Sequence, residues 1–221
     1  MDDSPDPTEH LSVRVASSSG AIRVIAEDRS DVIVDGRASE VRQGRMVTIE
    51  GGAGRLTVRV PAGTDLVVGA DSGAVEVSGP VGHAAVTSRS GRVVITDTQS
   101  ADVRAESGRV EINGCRHECR VRGDSGRVHV VDCGPADVTT RSGRIDVSGV
   151  RGDVRAHCVS GRVAVALDRA ADVDAETVSG SIDVSYPPGV TPRRSEDPDP
   201  GDGGCVLHVR AVSGRVTVEN R

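Results

Sequence analysis

Residues 125–130 read Ser-Gly-Arg-Val-His-Val and residues 142–147 read Ser-Gly-Arg-Ile-Asp-Val. Ser-Gly followed by an alternating apolar segment occurs nine times, with its glycine at Gly20, Gly73, Gly91, Gly108, Gly126, Gly143, Gly161, Gly180 and Gly214. Between Gly73 and Gly180 the steps are 17 to 19 residues. A fixed short period of this kind marks a repeat architecture, in which each unit completes its core only by stacking on its neighbours.

Two and four positions after each glycine stand Val or Ile, for example Val110 and Ile112, Val128 and Val130, and Ile145 and Val147. β-Branched residues at period two predict a strand with one buried face. The segment before each Ser-Gly alternates as well, with Val103 and Ala105 facing one way and Arg104 and Glu106 the other. Each unit is therefore two short strands joined at a glycine corner, with a second turn near Gly79, Gly114 or Gly149. The predicted fold is all-β: a single-domain parallel β-solenoid with rungs of about 17–18 residues, roughly 4.8 Å apart.

The 53 residues from Gly20 to Gly73 fit three such steps. Residues 21–72 are accordingly expected to hold two degenerate rungs, with strands near 31–34, 46–50 and 56–60. The run Gly51-Gly52-Ala53-Gly54 lacks the Lys-Ser or Lys-Thr of a phosphate-binding loop and reads as a turn. Residues 1–10 are acidic and Pro-rich and read as a disordered tail. The regular rungs cover 70–186. Residues 187–204, rich in Pro, Gly and acid, read as a flexible loop that does not pair as a strand, ahead of closing strands at 205–221.

Composition narrows the function classes. Phe and Trp are absent and Tyr186 is the one aromatic, which suits a narrow interior lined by Val and Ile. It also removes the stacking platforms of single-stranded nucleic-acid grooves. All 27 basic residues are Arg, yet the net charge is -6, against the basic footprint of a nucleic-acid binder. No apolar run approaches the length of a membrane span or a secretory signal. With five cysteines, an odd number better suited to a reducing compartment, the chain reads as cytoplasmic.

The candidate sites mostly dissolve into the repeat. Gly123-Asp124-Ser125-Gly126 looks like a serine-protease nucleophile motif, but Ser125 is one of nine equivalent corner serines, which need only a backbone partner. Cys115, His117 and Cys119, with His129 and Cys133 one rung on, raise a zinc site. Cys119 and Cys158, however, fall in inward columns of small residues, where free Cys packs as a small hydrophobe. Cys115 and Cys133 share a column close enough for a disulfide, and Cys205 is expected to be exposed. No metal or other cofactor is expected. The remaining surface feature is the Arg column formed by Arg92, Arg109, Arg127, Arg144 and Arg162. Stacked guanidinium groups repel unless anions lie beside them. Glu106 and Asp124, or Glu76, Glu111, Asp146 and Asp183 in neighbouring columns, can supply that charge; otherwise the column is an anion-binding stripe.

The Val strands around Ser-Gly, the strand Val58-Arg59-Val60-Pro61 and the closing pair over residues 206–218 resemble the bacterial β-strand-repeat family known as toastrack or adhesin-like domains, which are themselves similar to bactofilins. The resemblance covers nearly the whole chain. It implies a right-handed β-helix with a role in envelope-associated sensing, adhesion or scaffolding. The expectation is a non-enzymatic structural or interaction module that presents its ladders to a protein partner or to another copy. The alternative is a sensing domain that recognises an anionic polymer or surface through the Arg column. Neither nucleic acid nor direct membrane insertion is expected.

Overall fold

A computed structural model describes residues 11–190, 193–194 and 205–220. The expected tail at 1–10 lies outside the described residues, as does most of the expected loop at 187–204. The strands are β1 (Ser12–Glu27), β2 (Ile33–Asp35), β3 (Ala38–Gln43), β4 (Met46–Pro61), β5 (Asp65–Ser78), β6 (Val81–Cys115), β7 (Cys119–Cys133), β8 (Ala136–Val150), β9 (Val154–Leu167), β10 (Val173–Tyr186), β11 (Arg193–Arg194) and β12 (Val206–Asn220). From β5 to β12 they pair in parallel and in register, each rung on the one before. This is the parallel β-solenoid that the period requires. Its interior is filled by the alternating Val and Ile columns, with Val24, Val77, Ile95, Val130 and Ile145 all essentially inaccessible. Each such side chain contributes about 1.5–3 kcal/mol through burial.

The corner glycines explain the regularity of the stacking. Gly126 has φ +122°, and a Cβ built on it would lie 2.0 Å from the Gly108 carbonyl oxygen. The same contact, at 1.7–2.0 Å, recurs between successive corners from Gly20 to Gly214. No side chain fits there, so the glycine is fixed by both its dihedral and its neighbour.

This ladder also corrects the expected order of the first rungs. Gly20 rests on Gly54, and Gly73 rests on Gly20. β1 is therefore sandwiched between β4 on one side and β5 on the other. Residues 21–72 supply one full rung, β4, placed outside β1, rather than two degenerate rungs in chain order. The Gly51–Gly54 run is not a free turn but part of β4, with Gly54 as its corner at φ +134°. β2 and β3 then pair antiparallel to β4. They cover the terminal edge, as an exposed parallel edge would otherwise invite pairing.

The second corner alternates between residue types. Gly79, Gly114 and Gly149 take positive φ there, but so do Asp97 (φ 57°) and Asp132 (φ 53°). Aspartate enters this region more readily than most residues, and Arg116 and Arg151 from the following rung hold the two carboxylates at 3.2 and 2.7 Å.

At the far end, Arg193 and Arg194 do pair, parallel to Val206 and Leu207. The expectation that 187–204 holds no paired strand is thus wrong at these two positions, which fall between Pro192 and Ser195 and keep both backbone donors. Beyond that dipeptide the outer edge of β12 is unpaired among the described residues. Val216 and Val218, the core residues of this last rung, are 42% and 43% exposed.

The ladder predicts a positional asymmetry. Gly54→Ala, which meets nothing within 4 Å, costs only the dihedral strain of about 1–3 kcal/mol. Gly126→Ala must in addition force neighbouring rungs away from each other and is expected to lower the urea midpoint considerably further. Equal midpoints for the two variants would refute the contact as the reason for glycine.

Candidate functional site

The corner that carries the glycine ladder also borders a concavity. The three columns upstream of the corner serine line a groove along the rod. One stretch, of about 740 Å³, is walled by Arg89, Arg104, Arg122, Glu106 and Asp124, with Ser88 and Ala105 among its other lining residues. A second stretch of about 320 Å³ on the same columns passes His157, Glu176 and Arg210, and there the charged wall gives way to Val159, Val178 and Val212. These valines are 51%, 51% and 69% exposed. The corner serines are structural: Ser107, Ser125 and Ser142 each donate to a backbone carbonyl of the previous rung, at 3.2, 3.3 and 3.4 Å. Ser125 therefore behaves as its equivalents do.

The Arg column forms as its spacing predicts, with Arg109, Arg127, Arg144 and Arg162 in register on successive strands. Most of its charge is matched. Arg92 and Arg109 share Glu111 at 2.5 and 3.5 Å, Arg144 meets Asp146 at 2.7 Å, and Arg162 meets Asp183 at 3.9 Å. Of the other acids expected to serve this column, Glu76 pairs with Arg23 and Asp124 with Arg141. Arg127 alone among the five forms no ion pair among the described residues. Its rung carries His129 where Arg109 and Arg144 find an acid. Arg144, Arg162, His129 and Asp183 line a further shallow groove of about 540 Å³ on this face.

The cysteines are packing residues. All five are buried and free, Cys205 included, which corrects its expected exposure. Cys205 sits at the start of the last rung, 5% exposed. Cys115 and Cys133 are register partners without a bond between them. The Cys115 thiol donates to the Glu118 carbonyl at 3.4 Å. The hydrogen bond with Cys115, together with burial, pushes the Cys119 thiol up, and burial pushes Cys133 up to about 12. Cys115 and Cys119 meet, but no third Cys or His ligand atom joins them within 4.8 Å among the described residues. Among the described residues, ligand atoms of three such side chains come together only at Asp174, Glu176 and His208, a grouping that the sequence reading passed over. Its signal was available: counted back from Gly180 and Gly214, Asp174 and His208 occupy the same column.

Two measurements follow from these environments. The hydrogen bond from Arg92, with Arg109 adding to it, holds the Glu111 carboxyl below the ordinary range. A depressed folded-state value stabilises the fold above the unfolded value and is lost as pH falls through the folded one. Arg92→Ala should move the Glu111 transition, followed by NMR, up toward the ordinary glutamate range; an unmoved transition would show that the pair is inconsequential. The burial of every thiol predicts slow reaction with an aromatic disulfide reagent in the native state and rapid reaction of all five in denaturant. A single fast native thiol would contradict the packing, most directly at Cys205.

No helix among the described residues is long and apolar enough to cross a membrane. No curated protein matches the chain. Residues 6–219 match the Toastrack DUF4097 family, and on that span, together with its glycine-cornered parallel rungs, the chain belongs to that family.

Proposed function

We propose that this Toastrack repeat module is a non-enzymatic assembly element that associates with a second copy of itself through the β12 end. The observation that carries this reading is the inequality of the two ends. β4 is covered by antiparallel β2 and β3, whereas the outer edge of β12 is paired only at Val206 and Leu207 among the described residues. On that open rung Val212, Val216 and Val218 present apolar surface, while Ile182 and Val184, one rung inward, are 0% and 2% exposed. Unpaired backbone groups beside exposed valines are what strand addition uses. Head-to-tail growth is opposed by the covered end, so the association closes at a tail-to-tail dimer with β12 against β12.

The anion-stripe reading has less support, because Glu111, Asp146 and Asp183 already offset three of the five arginine charges. Among the described residues, nothing in the groove brings together a nucleophile, a base and an orienting acid, which supports a binding role over a catalytic one.

Light scattering coupled to size-exclusion chromatography, from low to high micromolar protein, is expected to move the untagged chain from monomer to dimer. The double variant Val216→Glu, Val218→Glu should remain monomeric. A wild-type monomer at every concentration would sink self-pairing and leave a partner protein's strand as the occupant. Open-ended filaments would contradict the covering role of β2 and β3.

A further inference from the structure

Outward-facing side chains on β9, β10 and β12 form a cluster unlike the rest of the surface. Parallel pairing sets Asp174 beside His208, and Glu176 beside His157. The ligand atoms of Asp174, Glu176 and His208 all lie within 4.8 Å of one another. Glu176 lies between two imidazoles: its Oε1 is 3.6 Å from His208 Nε2 and its Oε2 is 3.3 Å from His157 Nδ1. Asp174 Oδ1 is buried and has no hydrogen-bond partner among the described residues. The obvious cations do not relieve it. Arg155 is the register neighbour of Asp174 and Arg210 that of Glu176, yet neither forms an ion pair with them among the described residues. Elsewhere on this surface, acids such as Asp71, Asp124 and Asp146 do pair with Arg.

We propose that Asp174, Glu176 and His208 bind one divalent transition ion of the zinc class, with His157 as a positioning residue that holds the second oxygen of Glu176. The donor set decides the class. Calcium and magnesium favour all-oxygen shells, whereas an imidazole with two carboxylates suits zinc and its neighbours. Tetrahedral ligands at about 2.0–2.1 Å stand roughly 3.3 Å apart, close to the 3.6 Å already present between Glu176 and His208. Small side-chain rotations bring Asp174 into the same shell. Such an ion joins β10 to β12 across the Pro-rich segment that separates them. It adds a side-chain tie to a rung whose backbone pairs with β10 from Leu207 to Asn220 and whose Val206 N–H donates to Asp172 Oδ1 at 2.7 Å.

The test uses the full, untagged chain after treatment with a chelator. Calorimetric titration with zinc is expected to show one tight equivalent and an increase in melting temperature. Both should vanish in His208→Ala and in the near-isosteric Glu176→Gln, whereas His157→Ala should weaken affinity about tenfold without removing the site, in the range typical for an outer partner. Cobalt substitution separates this site from the cysteines, since oxygen and nitrogen ligands give visible bands without the intense near-ultraviolet thiolate transition. Zinc uptake that persists in His208→Ala, a thiolate band with cobalt, or no uptake by the wild type would each overturn the assignment.

Discussion

Everything in this fold depends on the approach of one glycine to the next. At each corner the backbone passes so near the preceding carbonyl that even a methyl group is excluded, from Gly20 on Gly54 through to Gly214 on Gly180. Because a one-residue slip would bring a side chain into that contact and turn the Val and Ile columns outward, the glycine sets the register and the aliphatic residues supply the driving force. The corner serine adds a hydroxyl bond to the rung beneath, and the second corner has more room at Gly114 and Gly149 than the ladder glycines have, although at Gly79 a Cβ would again lie 2.0 Å from a carbonyl oxygen, that of Ala26. The charges on the outside are then free to vary, which is why the repeat is strict at three or four positions and loose elsewhere.

That division of labour also explains what could be read from the sequence. Rung length, strand faces and the small-residue columns are all consequences of spacing, and they were legible: Cys119 lies in register with Ala136, and Cys158 with Thr140, as counting from the corners requires. Stacking order was not legible. A period counts rungs but does not say which rung touches which, and β4 hides its corner behind Ala53 and Leu56 where other rungs have Ser and Val or Ile. The antiparallel pairing of β2 and β3 leaves no trace in a parallel repeat. Cys205 borders the 187–204 segment, which suggests exposure, but it takes the inward side of the last rung and is buried.

The surface was harder to read for a physical reason. Whether a column of Arg is a binding stripe or a neutralised ladder depends on side-chain reach across columns, and the structure gives most of the charge to Glu111, Asp146 and Asp183. The grouping of Asp174, Glu176 and His208 depends on closing the chain over the 187–204 segment, so sequence distance hid it while strand register created it.

These features cluster at one end of the rod. The valines replacing charge along the groove, the half-uncovered core of β12 and the carboxylate–imidazole group all belong to the last three rungs. A solenoid distributes stability by nearest-neighbour contact, so its terminal rung has one interface where the others have two. The opposite end offsets this deficit with two antiparallel strands. At β12 the proposed ion bridging β10 to β12 and the proposed second copy along the edge would supply an equivalent contribution in different ways. The ion would fix the rung to the body of the protein, and the paired strand would cover what the ion leaves exposed. A pinned edge is also better ordered for pairing than a fraying one, since less conformational entropy is lost when the second strand arrives.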